Sequence, residues 1–259
     1  MAGAVVYVLG DSTVRGTGLS LDAEAAQEVA ARVRSILRDD TGINEAREAV
    51  ADLVTTDFAS VTLENVLAAP DVFEEWRVGE ALAEEHLTRA KSCSFPWPDN
   101  RSTRNPGSSG GGVDLIGFHC GERARFVLAE VKTSHQQAWP PSVVTSRSHG
   151  LRGQLSGLSA GDSRCEWAIR YLMMNGNGRP WFTDFRAALK TYLTDKLDVA
   201  IFGVLVHVSE PNQADISALS QRLCEARTDP TTVELVAIYL SAELLALIAD
   251  ARVVLETAA

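Results

Sequence analysis

Two periodicities alternate along the chain. Residues 5–9 are mostly β-branched and apolar and are halted by Gly10-Asp11-Ser12, which predicts a strand running into a loop. Ala25, Val29, Val33, Ile36 and Leu37 then recur at helical spacing, with Ser20 or Asp22 placed to cap that helix. The pattern predicts a second helix over 44–53 and a short strand near 59–62. A long helix follows from Asp71, its cap after Pro70, to about Lys91, with Phe73, Val78, Leu82 and Leu87 as its apolar stripe. Three prolines and a glycine-serine run break the pattern over 92–112, which reads as a long loop. Two strands, 113–118 and 125–132, are joined by a turn at Cys120-Gly121-Glu122 and read as a hairpin. Helices are expected over 140–158, opened by Pro140-Pro141, then over 164–174 and 181–193. An apolar, β-branched strand of the buried kind over 197–208, a helix over 216–226, a strand over 232–240 and a helix over 242–251 complete the chain.

This order of elements predicts an α/β fold, a mixed central sheet flanked by helices. A modest boundary near Pro70 separates a module at 1–69 from a larger domain at 70–259. With 259 residues, of which 46% are hydrophobic, the chain can bury a full core. A net charge of −10 argues against an autonomous, strongly basic nucleic-acid binder. No apolar run is long enough to cross a bilayer and no signal-peptide pattern opens the chain, so a cytoplasmic protein is expected. The cysteines, at 93, 120, 165 and 224, are too scattered for a zinc site and read as reduced, buried thiols.

The candidate chemistry lies in the hairpin. Strand alternation points Glu130 and Lys132 to one face and Ala129 and Val131 to the other. An acid and a base on an otherwise apolar strand are costly to bury unless they meet a metal or each other. If the hairpin sets Asp114 beside Glu130, two carboxylates and an ammonium converge, a donor set suited to Mg²⁺ or Mn²⁺.

Gly112-Val113-Asp114-Leu115-Ile116 followed by Val127-Leu128-Ala129-Glu130-Val131-Lys132 resembles the core of the PD-(D/E)XK nuclease superfamily, although Val113 stands where the motif has its proline. The resemblance implies a restriction-endonuclease-like core and an acid on the preceding helix. In Gly79-Glu80-Ala81-Leu82-Ala83-Glu84 that acid would be Glu80, with Glu84 in reserve. It also implies that Gln154, in Leu151-Arg152-Gly153-Gln154-Leu155, contacts the substrate or orients the lysine. By this likeness Asp114, Glu130 and Glu80 would hold Mg²⁺, Val131 would lend its carbonyl, and Lys132 would place the attacking water on DNA. The long helix, Trp97-Pro98-Asp99-Asn100 and the 112–118 strand look like the small nuclease subunit of Hachiman-type anti-phage systems, which works with a helicase partner.

Nine basic residues against four acids fall between Arg89 and Arg152, a local excess suited to phosphodiesters. The acidic remainder implies that another protein helps to hold DNA. Two other classes compete. A catalytically silent binding module would be expected to have lost an acid or the lysine, and none is lost. Val6 to Ser12 is similar to the first block of SGNH hydrolases, with Ser12 as nucleophile, but no histidine follows an aspartate by three residues. His207 reads as a hydrogen-bonded core histidine, and Trp167, Tyr171, Leu172, Met173 and Met174 as packing.

Overall fold

The computed structural model describes residues 3–10, 14–68, 71–96, 113–121, 123–226 and 229–250. Asp11 and Ser12, Pro70, the loop from Trp97 to Gly112 with Arg101 and Arg104, and Glu122 lie outside the described residues. In chain order the elements are β1 (Ala4–Gly10), β2 (Val14–Ser20), α1 (Ala23–Arg38), α2 (Asp40–Ala49), α3 (Asp57–Leu67), α4 (Glu75–Ala90), β3 (Cys93–Ser94), β4 (Leu115–His119) and β5 (Arg125–Ser134). Then come α5 (Ser142–Thr145), α6 (Leu151–Ser159), α7 (Ser163–Asn175), α8 (Phe182–Thr194), β6 (Val199–His207), α9 (Ala214–Ala226), β7 (Thr232–Tyr239) and α10 (Ala242–Ala249).

The fold is α/β, as the alternating patterns predict. One seven-stranded mixed sheet runs β1-β2-β7-β6-β5-β4-β3. Its centre, β2-β7-β6-β5, is parallel, and β1 and β4 are antiparallel to their neighbours. The strands before residue 69 belong to this same sheet, through the β2–β7 ladder. One face carries Val127, Ala129, Val131 and Phe202 against α1, α4 and α10. The other carries Phe126, Leu128, Ile201 and Leu205 against α6 to α9. Strand β6 is buried at all nine positions, as expected for a central parallel strand.

Several expectations need correction. The strand β2 was not expected, because Gly16 and Gly18 interrupt its apolar pattern. It is held by ladders on both sides, and the Tyr7 ring lies where a Cβ at Gly18 would be, 2.3 Å away. The expected strand near 59–62 is part of α3 instead. Thr56 caps that helix by accepting from the Ala59 N–H at 3.1 Å, and a cap outweighs the weak β preference of Val61 and Thr62. The long helix begins at Glu75 rather than near Asp71, because Val72 and Phe73 bond to the end of α10. The helical stretch over 140–158 is two helices with a break before Gly150. Of the cysteines only Cys93 and Cys165 are buried; Cys120 and Cys224 are exposed, and all are free thiols. Leu172 is buried, but Met173 and Met174 project outward, and Trp167, half exposed, stacks on Tyr171. Among the described residues no helix is long and apolar enough to cross a membrane.

Gly79 shows why α4 can lie flat on β5. A Cβ there would sit 2.2 Å from Thr133 Oγ1, which is itself buried without a hydrogen-bond partner. Gly79→Ala is therefore expected to destabilise the protein by about 1–3 kcal/mol through overpacking. Adding Thr133→Ala removes the obstructing hydroxyl and should restore most of the loss, as read by urea unfolding. Equal stabilities for Gly79→Ala and the parent would contradict this packing.

Candidate active site

The β4–β5 ladder builds the site. Leu115 pairs with Ala129, so continuing the register by one residue sets Asp114 opposite Glu130 on the same sheet face. The Asp114 N–H donates to the Ala129 carbonyl at 3.1 Å, and the Val131 N–H donates back to Asp114 Oδ2 at 2.8 Å. These two bonds pin the carboxylate beside the Glu130–Val131 peptide. Lys132 Nζ then lies 3.5 Å from Asp114 Oδ2 and 3.8 Å from Glu130 Oε2. The expected convergence of Asp114, Glu130 and Lys132 is present in the structure.

Glu130 is fully buried, while Asp114 and Lys132 keep partial access to solvent. Burial pushes the Glu130 carboxyl up to about 8, and the neighbouring Asp114 charge adds to the rise. Lys132 and Arg164 oppose it without overcoming it. Glu130 Oε2 is buried with no hydrogen-bond partner. A buried carboxyl oxygen without a hydrogen bond, next to a second carboxylate, is costly to ionise in the protein alone, and a hard divalent cation would stabilise its charged form.

Sequence reasoning missed Arg164, in the first turn of α7. Its Nη1 lies 3.1 Å from Glu130 Oε1, its Nη2 donates to the Gln154 carbonyl at 2.6 Å, and its Nε donates to Asp162 Oδ2 at 2.9 Å. One guanidinium thus ties β5 to α6 and to the cap of α7. Gln154 enters the site region through this backbone contact, and its side-chain Oε1 is buried without a partner. No local signal marks Arg164, since its carboxylate partner is 34 residues away in the chain.

Glu80 and Glu84 lie on α4, in the layer that covers Ala129 and Val131, while Glu130 faces the layer of α6 and α7. Among the described residues, no three His, Cys, Asp or Glu side chains gather into a metal-ligand cluster. The carboxylates brought together are Asp114 and Glu130. Of the other residues near the motif, His135 bonds Glu75 at 2.8 Å, and the Gln136 side chain accepts from the Ser142 N–H at 2.7 Å.

His207 is the core histidine expected. Its Nε2 meets the Gln136 carbonyl at 2.7 Å and its Nδ1 meets Asp215 Oδ2 at 2.8 Å. Burial lowers its pKa, but these two acceptors outweigh burial and raise it overall. Both ring nitrogens are occupied within the core.

Compared with protein-family models and with curated proteins, the sequence matches none.

Proposed function

We propose that this protein is a metal-dependent nuclease that hydrolyses phosphodiester bonds of DNA. The observation that carries the reading is the buried Glu130 carboxyl, one oxygen of which makes no hydrogen bond, held against Asp114 and Lys132 on adjacent strands. Asp114 and Glu130 would hold Mg²⁺ or Mn²⁺. When bound, the ion supplies Lewis-acid stabilisation of a phosphoryl oxygen and lowers the pKa of a water. Lys132, tethered between the carboxylates, presents a positive charge to the scissile phosphate and can orient the attacking water. Arg164 holds Glu130 from behind, so its carboxyl plane is fixed before substrate arrives. The test is nicking of supercoiled plasmid with Mg²⁺ or Mn²⁺. Cleavage that EDTA abolishes is expected; no cleavage with either ion, or cleavage that survives EDTA, contradicts the reading.

Substrate affinity has a narrow base on this chain. Of the basic residues between Arg89 and Arg152, Lys91 is paired with Glu234, Arg89 with Glu85, and Arg123 and Arg125 with Asp198. Among the described residues, a positive surface on the face of the carboxylate pair is Arg152 beside Arg222 and Arg147, and the Arg222 charge, then burial and the Arg147 charge, depress the Arg152 pKa. Three clustered guanidinium groups favour phosphate contact but supply few of the contacts that tight binding needs. We therefore expect weak DNA binding by the isolated chain at physiological salt, and a partner protein, a helicase in the defence-system reading, that supplies the rest. Submicromolar binding of a 30-mer duplex by the chain alone, measured by fluorescence anisotropy, would remove the need for that partner.

The Arg164–Glu130 pair favours a second reading. A guanidinium already serves one oxygen of the buried carboxylate, as it would in a catalytically silent module that keeps the nuclease fold. That reading expects no cation uptake at Asp114 and Glu130.

A further inference from the structure

A spacious cavity lies away from the carboxylate pair. It lies at the other end of β5, on the opposite sheet face, and has a volume of about 850 Å³. Arg125, which lines it, is five residues before Glu130 on the strand, a separation of about 16 Å. Sheet register assembles this cavity from distant parts of the chain. Arg125 pairs with His119, and Arg15 stands opposite Glu234, which in turn stands opposite Phe202. All five line the cavity together with Arg123.

The charges around it do not cancel. Arg123 Nη2 lies 2.8 Å from Asp198 Oδ2 and Arg125 Nη1 lies 3.8 Å from Asp198 Oδ1, so two guanidinium groups share one buried carboxylate. Lys91 takes the Glu234 carboxylate, across from which Arg15 stands in the ladder. Three lining arginines thus stand against one lining carboxylate, Glu234, and their partners Lys91 and Asp198, outside the lining, carry opposite charges, so a surplus of two positive charges remains. His119 accepts the Gly121 N–H at Nδ1, at 3.3 Å, which leaves Nε2–H as its donor, and burial, then the Arg125 charge, lowers its pKa. The floor between these groups is apolar, formed by Ala200, Phe202 and Val233.

We propose that this cavity binds a nucleoside phosphate, with the phosphates on the arginines and the nucleoside over the apolar floor. Two surplus positive charges match a phosphate dianion, and guanidinium forks suit its oxygens. The volume is that of a ligand pocket rather than a bare-ion site, and a wall of mixed polar and apolar character suits a ligand with both parts. Because the cavity shares no residue with the carboxylate pair, the proposal does not depend on nuclease activity.

Isothermal titration of the whole chain in EDTA separates the two sites. ATP is expected to bind saturably, inorganic pyrophosphate more weakly and adenosine not measurably. Arg15→Gln, an exposed change that leaves the core intact, should weaken ATP binding about tenfold, and Arg125→Gln at least as much. Lys132→Ala should bind ATP like the parent. A 5′-phosphorylated trinucleotide that competes assigns the site to strand ends, and one that does not assigns it to free nucleotides; either upholds the proposal. Absence of saturable ATP binding, unchanged affinity in both arginine variants, or loss of binding in Lys132→Ala would overturn it.

Discussion

Lys132→Ala should lower metal-dependent DNA cleavage by about 10²–10³-fold, the scale of removing one positioned electrostatic group from a phosphoryl-transfer site. The side chain bridges two carboxylates on the β4–β5 hairpin, 3.5 Å and 3.8 Å from their oxygens. The loss should appear in kcat, because the charge acts on the developing phosphorane rather than on bound DNA alone. The fold should persist. Lys132 is half-buried at the sheet end, and its removal opens no cavity in either hydrophobic layer. Cleavage within threefold of the parent would show that the lysine is only a counter-ion to Asp114.

Glu130→Gln should do two opposite things: abolish cleavage and stabilise the metal-free protein. Burial, then the Asp114 charge, raises the Glu130 carboxyl from 4.5 to about 8. A carboxyl raised on folding contributes its full stability below the unfolded value, near 4.5, and loses that contribution as pH climbs toward the folded value. The parent protein should therefore weaken between about pH 5 and pH 8. Glutamine, neutral throughout and still able to accept from Arg164, should not show this loss. At pH 8 in EDTA the variant should be more stable by about 2–4 kcal/mol, and the gap should close toward pH 5. Denaturant melts at a series of pH values measure this. A variant less stable than the parent at pH 8 would mean that Arg164 and Lys132 already satisfy the carboxylate, as the silent-module reading requires. Gain of stability with loss of activity is what a site holding unfavourable electrostatics for function should show.

The hairpin was legible because strand periodicity is strict. Once residues 125–132 are a strand, Glu130 and Lys132 must share a face, and a tight turn at Cys120-Gly121 leaves Asp114 little choice but to face them. Arg164 was illegible for the opposite reason: it reaches Glu130 through tertiary packing of α7, which no spacing encodes. The charge excess between Arg89 and Arg152 was read correctly as composition and incompletely as physics. Its neutralising partners Asp198 and Glu234 lie on later elements that only the sheet brings near. The glycine before Glu80 has a packing reason of its own, clearance for Thr133, so a Gly-Glu step on α4 is not by itself a mark of catalysis. Strand β2 and helix α3 were misread where a glycine-rich strand depends on its neighbours and where a single threonine cap decides the local conformation.

Asp114 and Glu130 together are proposed to hold a divalent cation. Titration of the apoprotein with Mn²⁺, followed by loss of the free-ion electron paramagnetic resonance signal, tests this without requiring substrate or partner. One saturable site per chain is predicted, tightening as pH rises through 8 because Glu130 must release its proton, and missing from both Asp114→Asn and Glu130→Gln. Mn²⁺ uptake that is absent from the parent protein, or that survives unchanged in both variants, would contradict the account.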